Sequence, residues 1–362
     1  MKVAMLAPVS WQVPPEGYGP WEQVVSNLTE NLVRLGHEVT LFAAAGSQTS
    51  ARLVETVPQA FSLWNPEESN RSQFLDPATG LLVGPPNFRA LEQMHIAQCM
   101  EAARDGGFDL VHSHLHVHAL VFSRLIPCPL LSTLHGSAWV QADHPVFHRY
   151  RENPFVSISN SERTFKPDLN YVATVYNGIN IEQYGYEEEK EPYLLFCGRL
   201  SPEKGAAEAV QIALKSGHPL IMAGMIEEKY KHYFDETVYP YIDGKRVDYV
   251  GLLPQKELEA LYQKAKALLC PTRWAEPFGM VNVEAQACGT PVLGARRGAL
   301  PEIIQEGKTG FLFDTIEEAV QLVERLDEIQ PADCRANAEE RFSAEVMARG
   351  YSLAYEKALA SV

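Results

Sequence analysis

Two basic side chains stand shortly after a predicted buried strand, in the segment Gly198–Gly205. The apolar run Tyr193–Cys197 is typical of such a strand, and Arg199 and Lys204 follow it before the next helical pattern. Because charge-assisted hydrogen bonds to phosphate are strong, two cations at the end of a sheet strand suit a diphosphate. A surface loop whose cations face water is the alternative interpretation of the same residues.

Two acidic side chains accompany the start of another predicted helix. Gly279 interrupts the chain after the apolar strand Ala267–Cys270, so Glu276 precedes the helix Val281–Cys288 and Glu284 lies inside it. A helix N-terminus can hold phosphate oxygens with its free amides, and carboxylates accept hydrogen bonds from sugar or ribose hydroxyls. A capping Glu276 and a solvated Glu284 are the structural alternative.

Histidines gather around two predicted strands of the first half. His135 ends the apolar run Leu130–Leu134 and is followed by Gly136, which places it at the edge of a sheet. Earlier in the chain, every second residue is a histidine, at His112, His114, His116 and His118. In one extended strand they would share a face, so they could supply four ligands to a metal ion, although lining of a cleft is the interpretation we prefer.

The loop after the first predicted strand is rich in glycine. Gly17 and Gly19 permit close approach of the backbone to a phosphate or sugar, but Pro20 supplies no amide hydrogen. Glu22 occupies the place of the third glycine in a Gly-x-Gly-x-x-Gly fingerprint. An NAD-dependent oxidoreductase is therefore disfavoured.

Short apolar runs separated by helical patterns predict strands buried on both faces of parallel sheets. The pattern occurs in two blocks, which predicts two doubly wound α/β domains over 1–172 and 173–342, with a C-terminal amphipathic helix over 343–362. Ligands of such sheets bind beyond the carboxyl ends of the strands, so two domains face to face would make a cleft. The predicted strands are Val3–Ala7, Val39–Ala43, Leu110–His112, Leu130–Leu134, Val156–Ser159, Tyr193–Cys197, Leu220–Ala223, Tyr249–Gly251, Ala267–Cys270, Pro291–Gly294 and Gly310–Phe313.

Net charge and composition disfavour some classes of binding partner. The 362 residues carry a formal net charge of −15, and both halves are acidic, which disfavours nucleic acid and anionic membrane surfaces. The six cysteines include no Cys-x-x-Cys pair and are expected to be reduced. With neither a signal peptide nor a transmembrane segment in the pattern, we expect a cytoplasmic protein.

An ordered series of motifs resembles the retaining, nucleotide-sugar-dependent glycosyltransferases of the GT-B architecture, in glycosyltransferase family 4, also called group 1. Each piece is short, but together they extend over most of the chain. Beside the glycine loop, they are Gly36–Phe42, Asp109–His114, Asn177–Ile179, Gly198–Gly205, Glu276–Ala285, Gly289–Val292, Pro301–Ile304 and Gly307–Leu312. The resemblance implies that the second domain binds the donor, that the first faces the acceptor, and that the C-terminal helix crosses back to the first.

The resemblance also implies roles for individual residues. Arg199 and Lys204 match the cations that hold the donor diphosphate, Glu276 the acid on the transferred sugar, Glu284 the acid on the ribose, and His135 the histidine near the reacting sugar. These assignments make His135, Arg199, Lys204 and Glu276 the candidate catalytic residues. Donor contacts are expected from Gly17, Gly19, Gly198, Arg199, Lys204, Glu276, Phe278, Gly279, Met280, Val281 and Glu284.

The implied reaction is transfer of a sugar from a nucleoside diphosphate sugar to an acceptor hydroxyl, with no metal and no other cofactor. Charge on the leaving diphosphate would be balanced by side chains, since the sequence offers no obvious aspartate cluster for a metal. Arg296 and Arg297 depart from the small residues usual in their loop, so at least one is expected to have a surface role. A sugar-nucleotide epimerase, a phosphorylase and a non-catalytic nucleotide-sugar binding protein stay open as alternatives.

Overall fold

The computed structural model describes residues 1–17, 19–63, 74–75, 82–83, 88–136 and 144–360. The chain divides into two compact units. The first comprises Met1–Ser157, Lys166–Val175 and Met347–Val362, and the second comprises Ile158–Phe165 and Tyr176–Val346. The predicted boundary at 172/173 lies three residues before the crossing at 175/176. The earlier excursion over 158–165 leaves no trace in the sequence pattern.

The first unit is built on a seven-stranded sheet in which all neighbouring strands are parallel. Its order is β3-β2-β1-β6-β7-β8-β9, so the direction of winding reverses between β1 and β6. The strands of this unit, including a separate antiparallel pair β4 and β5, are β1 (Lys2–Leu6), β2 (Glu38–Ala44), β3 (Arg52–Val57), β4 (Phe74–Leu75), β5 (Leu82–Val83), β6 (Leu110–Ser113), β7 (Leu130–Leu134), β8 (Phe155–Ser157) and β9 (Tyr171–Thr174).

Helix α1 (Pro20–Arg34) follows the glycine loop of this unit. Proline at its first position has a backbone angle that suits a helix start, and Val24, Leu28 and Leu32 bury one face. The chain turns at Gly36, whose φ of 86° favours glycine. Two further α-helices in the described part of this unit are α2 (Phe88–Arg104) and α3 (Pro145–Arg149).

The second unit contains a six-stranded parallel sheet of order β12-β11-β10-β13-β14-β15. Successive residues of a strand point to opposite faces, and each face has its own core: Leu194 and Phe196 pack in one cluster and Leu195 in the other. The winding reverses between β10 and β13. These strands are β10 (Leu194–Cys197), β11 (Leu220–Ala223), β12 (Val247–Gly251), β13 (Ala267–Cys270), β14 (Val292–Ala295) and β15 (Gly310–Phe313).

Helices pack in the cores on both faces of this second sheet. They are α5 (Ala206–Ser216), α6 (Lys231–Thr237), α7 (Gln255–Lys264), α8 (Met280–Ala287), α9 (Leu300–Ile303), α10 (Ile316–Val323) and α11 (Pro331–Phe342), and the short α4 (Asn160–Arg163) belongs to the same unit. The last helix, α12 (Ala344–Ala360), belongs to the first unit from Met347 onward. Within the described ranges, no helix has the length and apolar character required to span a bilayer. The predicted α/β class with two doubly wound sheets is confirmed.

Helix α12 is held in the first unit by two buried tyrosines. Tyr355 Oη lies 2.8 Å from His112 Nδ1, and Tyr351 Oη lies 2.9 Å from Thr133 Oγ1. Thr133 Oγ1 also lies 2.8 Å from His112 Nε2. These hydrogen bonds satisfy polar groups in the core and fix the helix beside β6 and β7.

Candidate functional site

The loops that follow β10 and β13 form the main group of predicted site residues in the second unit. These two strands are neighbours, yet the chain leaves them in opposite directions along the sheet, which is where open α/β sheets bind ligands. The loop after β10 carries Arg199 and Lys204, and the loop after β13 carries Glu276. The structure therefore brings together residues that are more than 70 positions apart.

Lys204 and Glu276 form the centre of this group. Lys204 Nζ donates to Glu276 Oε2 at 2.6 Å, and Trp274 Nε1 donates to the same oxygen at 2.9 Å. The ammonium also lies 5.3 Å from the centroid of the Trp274 ring. Burial alone would lower the pKa of Lys204, but the carboxylate beside it holds that pKa above its ordinary value. The lysine is therefore charged at neutral pH although less than a quarter of its side chain is exposed.

Glycines allow the loop after β13 to pack closely against the loop after β10 and against the loop after β14. An added Cβ at Gly205, which has φ of 77°, would lie 2.0 Å from the carbonyl oxygen of Pro271. At Gly298, with φ of 58°, the added atom would lie 2.3 Å from the backbone nitrogen of Glu276. The carbonyl oxygen of Glu276 accepts a hydrogen bond from the amide of Ala299 at 2.8 Å. Close backbone packing thus fixes where Glu276 can point.

Arg199 has acidic partners that sequence reasoning missed. Its Nη1 lies 3.0 Å from Glu227 Oε1, and its Nη2 lies 3.8 Å from Glu203 Oε1. Glu227 also pairs with Lys229 at 2.8 Å. The positive charges of Lys229 and Arg199 lower the pKa of the Glu227 carboxyl. The signal for Glu227 is present in the sequence, because it follows β11, the strand beside β10, by only a few residues.

Glu284 lies on α8 and is hydrogen-bonded by two tyrosines. Its Oε2 accepts a hydrogen bond from Tyr262 Oη at 3.1 Å, and Tyr184 also hydrogen-bonds to it. Burial raises the pKa of Glu284 to about 7, an effect that the tyrosine hydroxyls only partly offset. The carboxyl is therefore poised between its neutral and charged forms near neutral pH.

The remaining predicted donor contacts of this unit divide between backbone and side-chain positions. Gly279 begins α8 with φ of 91°. Phe278 is buried against Tyr176 and Phe342, so its side chain anchors the loop and only its backbone could touch a ligand. Met280 and Val281 are half-buried in the first turn of the helix, and Gly198 is half-buried directly after β10.

In the first unit, His135 and His114 form a hydrogen-bonded pair. His135 Nε2 lies 2.8 Å from His114 Nδ1, and both side chains are buried. The Trp21 ring stacks on His135 with 5.9 Å between centroids and meets the edge of His116 at 4.8 Å. Burial, together with neighbouring imidazoles, lowers the pKa of His114 and His135 well below its ordinary value and lowers that of His116 to about 4. These rings are neutral at physiological pH.

The four alternating histidines do not share one face of a strand, which corrects the geometry that the sequence predicts. The strand β6 ends at Ser113, and the chain then turns, with His116 at a φ of 51°. His112 is fixed in the core, whereas His118 is exposed and pairs with Glu92 at 2.6 Å. Among the residues that the structure describes, no group of three or more His, Cys, Asp or Glu side chains is arranged to hold a metal ion.

The glycine loop and the arginine pair complete the predicted residues. Gly17 is exposed, whereas Gly19 is buried, and an added Cβ at Gly19 would lie 2.7 Å from Pro15 Cβ. Arg296 pairs with Glu306 and Asp314 at 3.4 Å each, which is a surface role. Arg297 donates to the carbonyl oxygen of Arg273 at 2.9 Å, so it ties two loops together.

Two family models match the chain in succession. The model for Glycosyltransferase Family 4 matches residues 21–183, and the model for Glycosyl transferases group 1 matches residues 180–342. Together they extend over both units, and the second includes the whole Lys204 and Glu276 group.

Relatives of known name give the same result. The chain is 27% identical to a glycogen synthase of Mycobacterium tuberculosis over 83% of its own length and 80% of the relative. It is 26% identical to a D-inositol 3-phosphate glycosyltransferase of Corynebacterium efficiens, over 82% and 78%.

Solved structures share the fold along the full length. AviGT4, a glycosyltransferase involved in avilamycin A biosynthesis, has a TM-score of 0.70 and 25% identity over 100% of this chain and 99% of its own. HepE of Anabaena, solved in complex with UDP-glucose, has a TM-score of 0.68 and 18% identity over 97% and 98%. The chain belongs to the group 1 glycosyltransferases of family 4, and it is a glycosyltransferase with two Rossmann-like units.

Proposed function

We propose that the protein transfers a sugar from a nucleoside diphosphate sugar to an acceptor hydroxyl with retention of anomeric configuration and without a metal ion. The observation that carries this proposal is the group of Lys204, Glu276 and Trp274 at the winding reversal of the second sheet, with Arg199 on the same loop as Lys204. The Lys204 ammonium can pair with the charged diphosphate, and the Glu276 carboxylate, 2.6 Å from it, can accept hydrogen bonds from sugar hydroxyls.

The cations would act on the leaving group. As the bond between the sugar C1 and the diphosphate oxygen breaks, negative charge builds up on the diphosphate, and Lys204 and Arg199 stabilise it. In the structure, the Arg199 guanidinium pairs with the Glu227 carboxylate. When the donor binds, a phosphate group of the diphosphate would take the place of that carboxylate. Charge stabilisation by side chains is the reason for expecting no metal requirement.

The carboxylates would position the donor. Both hydrogen bonds to Glu276 from its neighbours go to Oε2, so Oε1 is the oxygen that we assign to a hydroxyl of the transferred sugar. Glu284 would accept hydrogen bonds from the ribose hydroxyls, as the family resemblance implies. Its tyrosine partners hold the carboxyl in place while a ribose is bound.

The chemistry at the sugar uses no protein nucleophile. The acceptor oxygen forms a bond to C1 on the face from which the diphosphate departs, and the acceptor proton goes to the departing phosphate oxygen. His135 takes the place beside the reacting sugar that the family resemblance gives it. Because it is neutral, it can exchange hydrogen bonds with hydroxyls without adding charge.

The relatives support a nucleotide-sugar donor. HepE has been solved with UDP-glucose, and a glycogen synthase is among the relatives that match over most of this chain.

A donor panel tests the proposal. The full-length protein is incubated with UDP-, GDP- and ADP-sugars in the presence of EDTA, and release of the nucleoside diphosphate and the fate of the sugar are followed. We expect one donor to release nucleoside diphosphate with glycoside formation, undiminished by EDTA. An epimerised nucleotide sugar or a strict requirement for phosphate would contradict transfer, and activity that EDTA abolishes and Mn²⁺ restores would contradict metal independence.

A further inference from the structure

Trp21 is an exposed aromatic side chain beside the candidate catalytic histidine of the first unit. It is 42% exposed, whereas its sequence neighbour Glu22 is 2% exposed. Single exposed apolar residues are common on proteins, but this one stacks on His135 and touches the edge of His116. Both of these ring neighbours are imidazoles rather than aliphatic side chains.

The backbone around Trp21 is held on both sides. Pro20 opens α1 with a fixed backbone angle, and the Glu22 carboxylate accepts a hydrogen bond from the amide of Trp11 at 3.1 Å. The ring itself is fixed by its two imidazole contacts. A ligand that stacks on the indole therefore meets a surface whose side-chain freedom is already restricted, which lowers the entropic cost of binding.

His114 and His135 have ring nitrogens that can form hydrogen bonds with a hydroxyl group. The bond between His114 and His135 needs one N–H and one lone pair, so in either tautomer the pair keeps one further N–H and one further lone pair. These outer nitrogens, His114 Nε2 and His135 Nδ1, are buried and have no hydrogen-bond partner in the described part of the chain. A hydroxyl is both donor and acceptor, so it matches what the pair leaves open.

Charge distinguishes between classes of acceptor. The imidazoles that contact Trp21 are neutral, and they provide no cation for a phosphate or carboxylate. A pyranose ring has an apolar face of C–H groups that packs on an aromatic ring, and hydroxyls at its rim. A long alkyl chain would need a continuous apolar surface, whereas the ring contacts described for the indole are both with imidazoles.

We propose that Trp21 is the stacking platform for the acceptor and that the acceptor is an uncharged sugar, which presents one ring face to the indole and hydroxyls to the His114 and His135 pair. This inference rests on the proposed function and adds the acceptor class to it. Trp21 acts in substrate recognition, so its loss weakens acceptor binding and leaves the donor site in the second unit as it is.

The experiment compares acceptors and variants with the donor that the wild-type protein uses. The acceptors are methyl glycosides and disaccharides of glucose, galactose and mannose, set against the 6-phosphates of the same sugars. We expect an uncharged acceptor to have at least about tenfold higher kcat/KM than its phosphate. In Trp21→Ala we expect the acceptor KM to rise about tenfold or more with the donor KM unchanged, whereas Trp21→Phe, which keeps an aromatic face, stays within about threefold of wild type.

A control separates this inference from the proposed function. Leu353→Ala removes another exposed apolar side chain of the first unit and should leave all constants at wild-type values. Preference for phosphorylated acceptors, an unchanged acceptor KM in Trp21→Ala, or donor hydrolysis with no uncharged sugar accepted would each overturn the inference while the donor chemistry stands. Failure of the wild-type protein to turn over any nucleotide sugar would refute the proposed function itself.

Discussion

The charge on Lys204 is maintained in a half-buried position because Glu276 lies 2.6 Å away. A buried ion pair of this kind is weak evidence for stability, because desolvation offsets much of the attraction. Its placement at the carboxyl ends of β10 and β13 favours a functional role instead.

Replacing the cations tests this role. We expect Lys204→Ala and Arg199→Ala each to lower kcat/KM by roughly two to three orders of magnitude, because each removes a stabiliser of charge on the leaving diphosphate. Steady-state kinetics with saturating acceptor measures the effect. The matched control is Lys215→Ala, which removes an exposed lysine paired with Glu317 in the same unit. Activity within threefold of wild type in both Lys204→Ala and Arg199→Ala would refute the assignment.

Glu284 gives a prediction with a pH dependence. With a pKa of about 7, its carboxyl is mostly protonated at pH 6 and mostly charged at pH 8. Only the charged form is purely an acceptor, so it can accept hydrogen bonds from ribose hydroxyls in addition to those from the tyrosines. We therefore expect the donor KM to fall as the pH rises through 7 and this dependence to vanish in Glu284→Gln. In Glu284→Ala the donor KM should rise with a smaller change in kcat. A normal donor KM with a collapsed kcat is the contrary result.

The first turn of helix α1 contains a buried acidic residue, Glu22. Burial raises the pKa of Glu22 from 4.5 to about 7 in the folded protein. Between these two values the unfolded chain releases the proton and the folded protein keeps it, so this group's contribution to stability falls as the pH rises.

The change Glu22→Gln removes that pH dependence. We expect the difference in apparent Tm, variant minus wild type, to increase by roughly 3 to 6 °C between pH 5 and pH 8. Thermal unfolding at several pH values measures it. The exposed Glu16→Gln is the control and should show no such trend. A Tm difference that is equal at both pH values would show that Glu22 does not keep its proton in the fold.

The substitution Gly298→Ala tests the packing between the loops after β13 and β14 in the second unit. An added Cβ would lie 2.3 Å from the nitrogen and 2.4 Å from the oxygen of Glu276, so Gly298→Ala must displace that residue. We expect kcat/KM to fall at least about a hundredfold, since a small misplacement of a catalytic group has effects of that order.

Gly217→Ala is the matched control for Gly298→Ala. Gly217 also has a positive φ, of 74°, but it ends α5. Both substitutions incur a similar backbone cost of about 1 kcal/mol, and only Gly298 borders Glu276. Equal activity of the two variants would show that the Gly298 contact does not position Glu276.

The elements that the sequence predicts well are those buried on both faces. The runs around Leu194–Cys197 and Ala267–Cys270 are apolar without interruption, so their strands can be read directly. The strands β3 and β9 were missed because they lie at the edges of the sheet, where Arg52 and Glu55 interrupt the pattern of β3.

The sequence names candidate site residues but not the contacts that these residues make. Arg199, Lys204, Glu276 and Glu284 are recognisable by motif. The partners Glu227 and Tyr262 come from other elements, and only the strand order brings them near. The single-face arrangement of the four histidines is wrong because it needs an extended chain through His118. The strand β6 ends at Ser113, one residue beyond the predicted strand Leu110–His112, and the chain then turns.

At the scale of the whole molecule, each unit repeats one plan. Both sheets reverse their winding between the first and fourth strands of the main sheet, and both have their candidate residues at the strand ends around that point. The candidate donor-binding residues Arg199, Lys204, Glu276 and Glu284 lie in the second unit, and His135 and Trp21 lie in the first. This distribution supports the proposal that one unit binds the donor and the other recognises the acceptor.

In the proposed reaction, a sugar leaves a nucleoside diphosphate and joins the acceptor on the same face. The most direct measurement is an NMR time course of the first-formed glycoside, made with the preferred donor in EDTA. We expect the anomeric proton of the product to show the configuration of the donor, with nucleoside diphosphate released in equal amount. A first-formed product with the inverted configuration would contradict the mechanism.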